Sequence, residues 1–485
     1  MELKKLIKCL DRYQAFTDLN NFDVAGVSCD SRRISDNFVF VAIKGAHDDG
    51  HIFIDQASKK GAKAVVLKVS EFKNIRLSEK ISIIAVSDTK SALSKLSAEF
   101  YGNPSDKLKV IGITGTNGKT TITYLIEALL KESRRSPGVI GTVNYRFNDY
   151  INSSGNTTPG PDQLQLMLKE MLDAGVDYVA MEVSSHALDQ GRTDAIRFHS
   201  AIFTNLTQDH LDYHKNLEGY FQAKTKLFKA LSKQSSAIIN IDDPWGRRLL
   251  ELTKAHVITY GIENKAEVFA KEIKFDFPHT EFILKTSELE TKLKTLLIGR
   301  HNVYNILAAI ALGISEGIKI PDIKSAIERL DFVPGRLQRI ETGQDFFCFV
   351  DYAHTEDALK NVINTLREIT RKKIIVVFGC GGERDKTKRP KMGRIVTELA
   401  DFAIITNDNP RSEEAQEIAN NIKQGIKKDN YCIILDRKDA IKKSLSLAAG
   451  GDIVLVAGKG HEDYQILKNE RIHFDDREVI RECLK

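Results

Sequence analysis

Gly112-Ile113-Thr114-Gly115-Thr116-Asn117-Gly118-Lys119-Thr120-Thr121 is the stretch on which the fold turns. Upstream, 108–113 is apolar and β-branched, the composition of a buried strand, and downstream the residues to about 131 read as a helix. A glycine-rich loop between strand and helix lets the backbone approach a polyphosphate, and its successive N–H groups at the helix N-terminus form an anion cradle. Gly115, Thr116, Asn117, Gly118, Lys119, Thr120 and Thr121 are the expected nucleotide contacts. Lys119 reaches for the β- and γ-phosphates, and the Thr120 hydroxyl is a ligand for Mg²⁺. The commoner phosphate loop would carry glycine at 113; Ile113 stands there, so this is the shorter Gly115-x-x-Gly118-Lys119-Thr120 form. The loop specifies a nucleotide and leaves the reaction open.

Working outward, the loop opens a region in which strands alternate with helices. Leu164, Met167, Leu168, Met171 and Leu172 fall at helical spacing and predict an amphipathic helix over 162–172. Apolar strands are expected at 178–183, 200–204, 237–241 and 256–260, which implies a mainly parallel sheet covered on both faces. Before the loop, short apolar runs end at Tyr101-Gly102-Asn103-Pro104, a linker composition. After it, a helix over 302–317 leads to Phe332-Val333-Pro334-Gly335-Arg336, a second boundary. Strands at 373–378, 403–406, 432–435 and 453–457 then describe another α/β unit of Rossmann-like character. The reading is an α/β protein of three domains, 1–103, 104–335 and 336–485, as a chain of 485 residues suggests.

Composition narrows the class. Seventy-one basic against 66 acidic residues leave a net charge of +5, too thinly spread to argue for nucleic acid and suited to anionic small substrates. The six cysteines show no CxxC spacing, so reduced thiols in a cytoplasmic protein are expected. The first residues lack the apolar stretch of a signal peptide, and no run approaches the ~20 apolar residues that cross a bilayer.

Further motifs follow in order: Asn156-Thr157-Thr158-Pro159, Glu182-Val183-Ser184-Ser185-His186, Thr204-Asn205-Leu206-Thr207-Gln208-Asp209-His210-Leu211-Asp212-Tyr213-His214, Gly299-Arg300-His301-Asn302-Val303-Tyr304-Asn305, Asp351-Tyr352-Ala353-His354 and Asp408-Asn409-Pro410-Arg411. With the phosphate loop, this ordered set resembles the Mur ligases of bacterial cell-wall synthesis along essentially the whole chain. The resemblance implies an N-terminal UDP-substrate-binding domain, a central parallel-sheet ATP-binding domain and a C-terminal Rossmann-like domain for the incoming amino acid. It also implies a reaction in which ATP phosphorylates a substrate carboxylate and an amine attacks the acyl phosphate. The partners are then small molecules, with no nucleic acid, no membrane insertion, and a monomeric enzyme.

Site residues follow from the resemblance. Glu182 and Thr120 are expected to coordinate Mg²⁺, with His210 linked to the same metal site. Lys224, in Gln222-Ala223-Lys224-Thr225-Lys226, aligns with a lysine that reacts with CO₂ to give a carbamate, a further metal ligand; from sequence alone it is a lysine on a polar helix, with Lys226 two residues away. Asn302, Arg336 and Asp351 match ATP contacts, with His354 in the same motif, where Glu356 replaces a frequent proline. Ser31, Ala46, His47, Asp48, Asn156, Thr157, Thr158, Ser184, Gln190 and Arg192 match contacts to the UDP-linked muramoyl dipeptide.

The amino-acid choice rests on Asp408-Asn409-Pro410-Arg411. Meso-diaminopimelate carries a second carboxylate beside its distal amine, and a planar guanidinium pairs with it bidentately, a partner lysine cannot offer. By resemblance this form marks the enzymes that add meso-diaminopimelate to UDP-N-acetylmuramoyl-L-alanyl-D-glutamate. Arg384, Gly458 and Glu462 lie on loops after two further strands, and Glu462 suits the distal ammonium. A lysine-adding relative, a folylpolyglutamate synthase, and a switch or motor that hydrolyses ATP without an amino-acid acceptor are the competing readings.

Overall fold

The computed structural model describes residues 1–45, 48–74, 81–468 and 470–485. The chain divides into two compact units, Met1–Val268 with Leu307–Ile323, and Phe269–Ile306 with Lys324–Lys485.

The first unit opens with a five-stranded sheet ordered Gln14–Ala15, Ser82–Val86, Ala62–Lys68, Phe38–Val41, Gly26–Ser28. All neighbours are parallel except the first pair. The strands are buried on both faces, so alternation is absent and the runs are simply apolar. Helix Thr89–Phe100 starts where the Asp88 carboxylate accepts from the N–H groups of Lys90 and Ser91. It stops at Gly102 and Asn103, both in the left-handed region, before Pro104.

The central sheet of this unit runs His256–Gly261, Ser236–Asn240, Phe198–Phe203, Lys109–Thr114, Tyr178–Glu182, Pro137–Ile140, Asn144–Phe147, Tyr150–Ser153. The first six are parallel neighbours and the last two fold back as a hairpin. The phosphate-loop strand therefore lies between two strands whose C-terminal ends carry Glu182 and Thr204, the place where parallel sheets present ligands. Helices Pro161–Asp173 and Leu217–Lys229 bury Leu164, Leu168, Met171, Phe221 and Phe228 on one face, and Lys119–Glu132 covers the other. Strand Pro137–Ile140 was not expected, because Pro-Gly reads as a turn; here Pro137 is only the first residue of a short strand, where its missing N–H is harmless.

At the opposite ends of these strands, Glu316 gathers four side chains. Its carboxylate accepts from His199 Nε2 (2.6 Å), the Tyr178 hydroxyl (2.7 Å) and Lys109 Nζ (3.0 Å), with Arg135 at 3.8 Å. This ties the segment after helix Arg300–Ser315 to three strands.

The second unit holds a six-stranded sheet ordered Gln338–Ile340, Phe347–Asp351, Ile453–Ala457, Ile374–Phe378, Phe402–Ile405, Tyr431–Ile433. Only the first strand is antiparallel. Apolar clusters cover both faces, one around Phe349, Val376 and Leu455, the other around Cys348, Val377 and Val456. This is the expected Rossmann-like arrangement, with the 432–435 strand beginning one residue earlier and ending sooner. Residues 269–295 add an antiparallel meander that the parallel-sheet expectation did not include. Among the described residues no helix is long and apolar enough to cross a membrane.

Candidate active site

The phosphate loop is pinned by the strand beside it. Asn205 accepts from Thr116 N at its carbonyl (2.9 Å) and from Asn117 N at its side-chain oxygen (3.0 Å). The Thr204 hydroxyl donates to Asn117 O (2.7 Å). A Cβ on Gly115, at φ 151°, would fall 1.8 Å from Thr204 Oγ1, so no side chain fits. Ile113 belongs to the strand, paired with Glu182, which accounts for the shortened motif. Thr120 and Thr121 are buried at the start of the helix.

Two lysines converge on one atom of this loop. Lys119 Nζ donates to the carbonyls of Gly115 (2.9 Å) and Thr116 (2.8 Å), and Lys224 Nζ donates to the same Gly115 carbonyl (2.9 Å). Lys224 is 1% exposed and its amine sits 4.3 Å from the centroid of the Tyr220 ring. Burial, and then the charge of Lys119, push its pKa well below the usual amine value, with Asp209 opposing. Lys226 instead pairs with Asp189 at 3.0 Å on the exposed side. The polar-helix reading of this segment is thus corrected. Tyr220 and Lys224, one turn apart, face inward with Phe221 and Leu227.

Glu182, at the end of its strand, is equally buried. Its Oε1 accepts from Thr142 N (2.8 Å) and its Oε2 from the Thr142 hydroxyl (2.9 Å), which also meets Thr157 Oγ1 at 3.0 Å. Thr158 donates to the Glu182 carbonyl (2.9 Å) and its own carbonyl accepts from Arg192 Nη1 (2.8 Å). Arg192 also holds Gln190 Oε1 through Nε and Nη2, at 3.0 and 2.7 Å. Ser184 caps helix Ser185–Asp189 by accepting from Ala187 N (3.2 Å), and Asn156 is bound at both backbone groups by the Tyr145 hydroxyl. These residues form one connected patch around Glu182. His210 stands at φ 51° with its ring 4.8 Å from His186 and 6.3 Å from Tyr220. Burial, with His210 and His214 beside it, holds the His186 pKa below the ordinary imidazole value.

In the N-terminal sheet Ser31 spends its hydroxyl on Gln56 Oε1 (2.9 Å). Asp48 closes a short loop through its carbonyl to Gly45 N (2.8 Å). Ala46 and His47 lie outside the described residues. Ser28, which sequence reasoning passed over, donates to Asp162 (3.0 Å) and links this sheet to helix Pro161–Asp173.

The second unit carries the remaining residues. Asn302 is buried, donating to Ile298 O (2.8 Å) and accepting from Asn305 (3.1 Å). Asp351 accepts from Leu337 N (2.6 Å) and Ala353 N (2.8 Å). Burial raises its pKa while Arg336 opposes. The Arg336 guanidinium lies 5.0 Å over the Tyr352 ring. His354 Nδ1 donates to Tyr352 O (2.7 Å), and Glu356 simply opens a helix capped by Thr355.

Three loops leave the C-terminal ends of three adjacent parallel strands, Ile453–Ala457, Ile374–Phe378 and Phe402–Ile405. Arg411, at φ 55°, donates from Nη1 to Gly382 O (2.6 Å), and its backbone exchanges hydrogen bonds with Ile466 and Lys468. Pro410 is buried with its carbonyl against Gly382, where a Cβ would come within 1.9 Å. Gly458, at φ 113°, leaves room for Asp408, whose carboxylate would be 2.6 Å from a Cβ there. Asn409 Nδ2 donates to Glu462 Oε2 (3.1 Å). Burial raises the Glu462 pKa, with Lys459 opposing. Arg384 is exposed on its loop; the buried arginine nearby is Arg389, doubly bonded to Glu413 at 2.9 and 3.0 Å and holding that carboxyl down to about 2. Beneath the loops Arg437 reaches Asn407 O (3.1 Å) and Ala457 O (3.0 Å) while paired with Asp476, both side chains fully buried. Thr142, Asn205, Arg437 and Lys459 went unassigned by sequence. Asn205 lies inside the 204–214 motif and Lys459 directly follows Gly458, whereas Thr142 and Arg437 show no local signal.

A glycine-rich loop at the centre of one parallel sheet, and a separate Rossmann-like unit with charged loops at its strand ends, have the make-up of an ATP-dependent ligase. Family models match in series: "Mur ligase family, catalytic domain" over residues 23–101, "Mur ligase middle domain" over 113–313 and "Mur ligase, glutamate ligase domain" over 335–460. The chain belongs to the Mur ligase family. It is 43% identical over its full length to a UDP-N-acetylmuramoyl-L-alanyl-D-glutamate–2,6-diaminopimelate ligase of Clostridium tetani, covering 99% of that protein. It is 44% identical, with the same coverage, to UDP-N-acetylmuramoyl-L-alanyl-D-glutamate–2,6-diaminopimelate ligase 1 of Clostridium acetobutylicum. A solved structure of a ligase of the same name aligns over 100% of this chain and 99% of its own, with 30% identity and a TM-score of 0.71.

Proposed function

We propose that this protein joins meso-2,6-diaminopimelate to UDP-N-acetylmuramoyl-L-alanyl-D-glutamate in the cytoplasm, consuming ATP, in the synthesis of the peptidoglycan precursor. The observation that carries the amino-acid choice is the Arg411 loop. Its guanidinium is held at Gly382 O by one nitrogen, leaving other donors for a carboxylate, while Asn409 and Glu462 share a hydrogen bond on the neighbouring loops. A carboxylate flanked by an ammonium matches that pair of charges.

In the first step a carboxylate oxygen of the dipeptide attacks the γ-phosphorus and ADP departs. In the second, the acceptor amine attacks the acyl carbon, phosphate leaves, and the amine proton is released. Lys119 and the backbone N–H groups at the start of helix Lys119–Glu132 take the phosphate charge. The patch of Asn156, Thr157, Thr158, Ser184, Gln190 and Arg192 orients the carboxylate, and the 1–103 block, with Ser31 and the loop 45–48, holds the UDP portion. Asn302, Arg336 and Asp351 contact ATP. Arg384 serves the acceptor from its exposed loop, beside Asp408, Pro410 and Gly458.

Among the described residues no three His, Cys, Asp or Glu side chains cluster as a preformed cage. The donors fit Mg²⁺, a hard ion that takes one or two carboxylates together with substrate phosphates. Glu182 is buried with both oxygens already oriented by Thr142, Thr120 adds a hydroxyl, and His210 has its ring 4.8 Å from His186, four residues beyond Glu182. When bound, the ion neutralises charge on the transferring phosphoryl group. Lys224 suits carbamate formation. Its buried, pKa-depressed amine adds to CO₂, a C–N bond forms and a proton is lost. The resulting anion replaces the repulsion of Lys119 by attraction.

The test is phosphate release from ATP, Mg²⁺ and the UDP-muramoyl dipeptide with either meso-diaminopimelate or lysine. Turnover that requires diaminopimelate is expected. Equal turnover with lysine would overturn the acceptor assignment, and release without any acceptor would overturn ligation.

A further inference from the structure

Lys459 is the one lysine that the second unit buries completely among its described residues, at 0% exposure, and neither the loop motif nor the reaction above uses it. Its Nζ donates to Asn409 Oδ1 (3.1 Å) and to Glu462 Oε2 (3.2 Å), and Asn409 Nδ2 donates to the same Glu462 oxygen (3.1 Å). The three groups close a triangle between the 408–411 and 458–462 loops. Asn409 Oδ1 also accepts from Ile466 N (3.0 Å), so its amide cannot rotate without losing bonds on both sides. A buried ammonium is costly unless paired, and here the pairing involves the carboxylate suited to the acceptor's distal ammonium.

We propose that Lys459 is a positioning residue for the amino-acid acceptor, fixing Asn409 and holding Glu462 as an oriented carboxylate. This rests on the acceptor site proposed above. Lys459 acts through Glu462 and touches no reacting atom.

The charges around Glu462 show why the ammonium matters. Burial and Asp408 both disfavour its ionised form; Lys459 and the Asn409 amide oppose them. Tyr352 and Tyr464 also face it, as neutral phenols whose own pKa values burial raises. Arg437 is close enough to interact but is committed to Asp476. Arg411 and Arg471 act on Tyr464, Arg471 stacked 3.8 Å over its ring, and Lys459 Nζ lies 5.4 Å from the same ring centroid. Removing the Lys459 charge leaves Asp408 and burial unopposed except by Asn409. Glu462 then takes up a proton at a higher pH and no longer attracts a cation.

The test compares wild type, Lys459→Met and Lys459→Gln by phosphate release against meso-diaminopimelate, with ATP and the UDP-dipeptide saturating, across roughly pH 6 to 9. Glutamine can keep a hydrogen bond to Asn409 without the charge, which separates electrostatic from merely structural roles. We expect kcat/KM for the acceptor to fall about tenfold or more in both variants, mainly through KM, as befits one lost charge-assisted contact. The acid limb of its pH profile should move upward while KM for ATP stays unchanged. Should Lys459→Met fail to fold, Lys459→Gln carries the comparison alone. A Lys459→Gln enzyme with wild-type acceptor KM and an unmoved pH profile would overturn the proposal. Wild-type turnover that needs no amino-acid acceptor would overturn the site itself, and this role with it.

Discussion

Arg411 and Lys224 are the two residues whose chemistry is most exposed to test. Arg411 is held by one short bond to Gly382 O and by its backbone to the 466–468 segment, so truncating its side chain should leave the loop in place. Arg411→Ala should cost about 1.5–3 kcal/mol of acceptor binding, roughly 10- to 150-fold in kcat/KM for diaminopimelate, with KM for ATP unaltered. Steady-state rates with each substrate varied in turn check this, and an unchanged acceptor KM would remove the guanidinium from the site. For Lys224 the prediction concerns CO₂. If the amine must become a carbamate, wild-type activity should fall when bicarbonate and CO₂ are stripped from the buffer and return when they are restored. Lys224→Ala should lose about a hundredfold or more in kcat whatever the CO₂ level. A ¹³C resonance from labelled CO₂, present in wild type and missing in the variant, would identify the adduct directly. Activity indifferent to CO₂ would leave Lys224 as an amine.

At the scale of elements, buried charge pairs fasten loops and helices to sheets. Glu316 holds the end of one helical segment against three strands, and its neighbours drop its carboxyl pKa from 4.5 to about 2, His199 and Tyr178 foremost against the cost of burial. A carboxylate depressed in the folded state stabilises the fold fully above its unfolded pKa, and that contribution is lost as pH falls toward the folded value. Between pH 4.5 and about 2 the wild type should therefore lose about 3 kcal/mol that Glu316→Gln never had. Urea melts of both proteins at several pH values check it; parallel curves would dissolve the tie. Arg437 and Asp476 make a second fastening, fully buried beneath the 408–411 and 458–462 loops. Arg437→Met strands Asp476 without a partner and should destabilise the second unit by about 3–5 kcal/mol, whereas replacing both by apolar residues should cost much less. Thermal melts of the single and double variants separate the two cases.

For the whole molecule, what the residues disclosed depended on how local the cause was. The phosphate loop, the amphipathic helix found at Pro161–Asp173 and the parallel strands were legible because each is set by periodicity or by glycine within a short window. The hairpin at 144–153 and the meander at 269–295 were not read, since short edge strands carry weak patterns among turn residues. At the candidate site, Lys119 was marked by its own loop and Glu182 by the resemblance alone. The burial of Lys224 and Lys459 did not, because a lysine's sequence context does not reveal which loop folds over it. Lys119 supplies the last prediction. Its amine rests on the carbonyls of Gly115 and Thr116, so on the proposed reading ATP draws it onto phosphate while the N–H groups at the start of helix Lys119–Glu132 bind the same anion. Ligand that binds only the folded chain stabilises it by RT ln(1 + [L]/Kd), about 2.7 kcal/mol at a hundredfold excess over Kd, which for domains of this size raises Tm by about 5–11 °C. Lys119→Met should abolish most of that rise while melting, without nucleotide, close to wild type, because Lys224 Nζ still donates to the Gly115 carbonyl. A variant that keeps the full ATP-induced shift would show that the backbone cradle alone binds the nucleotide, and Lys119 would then be left to act only on the transferring phosphoryl group.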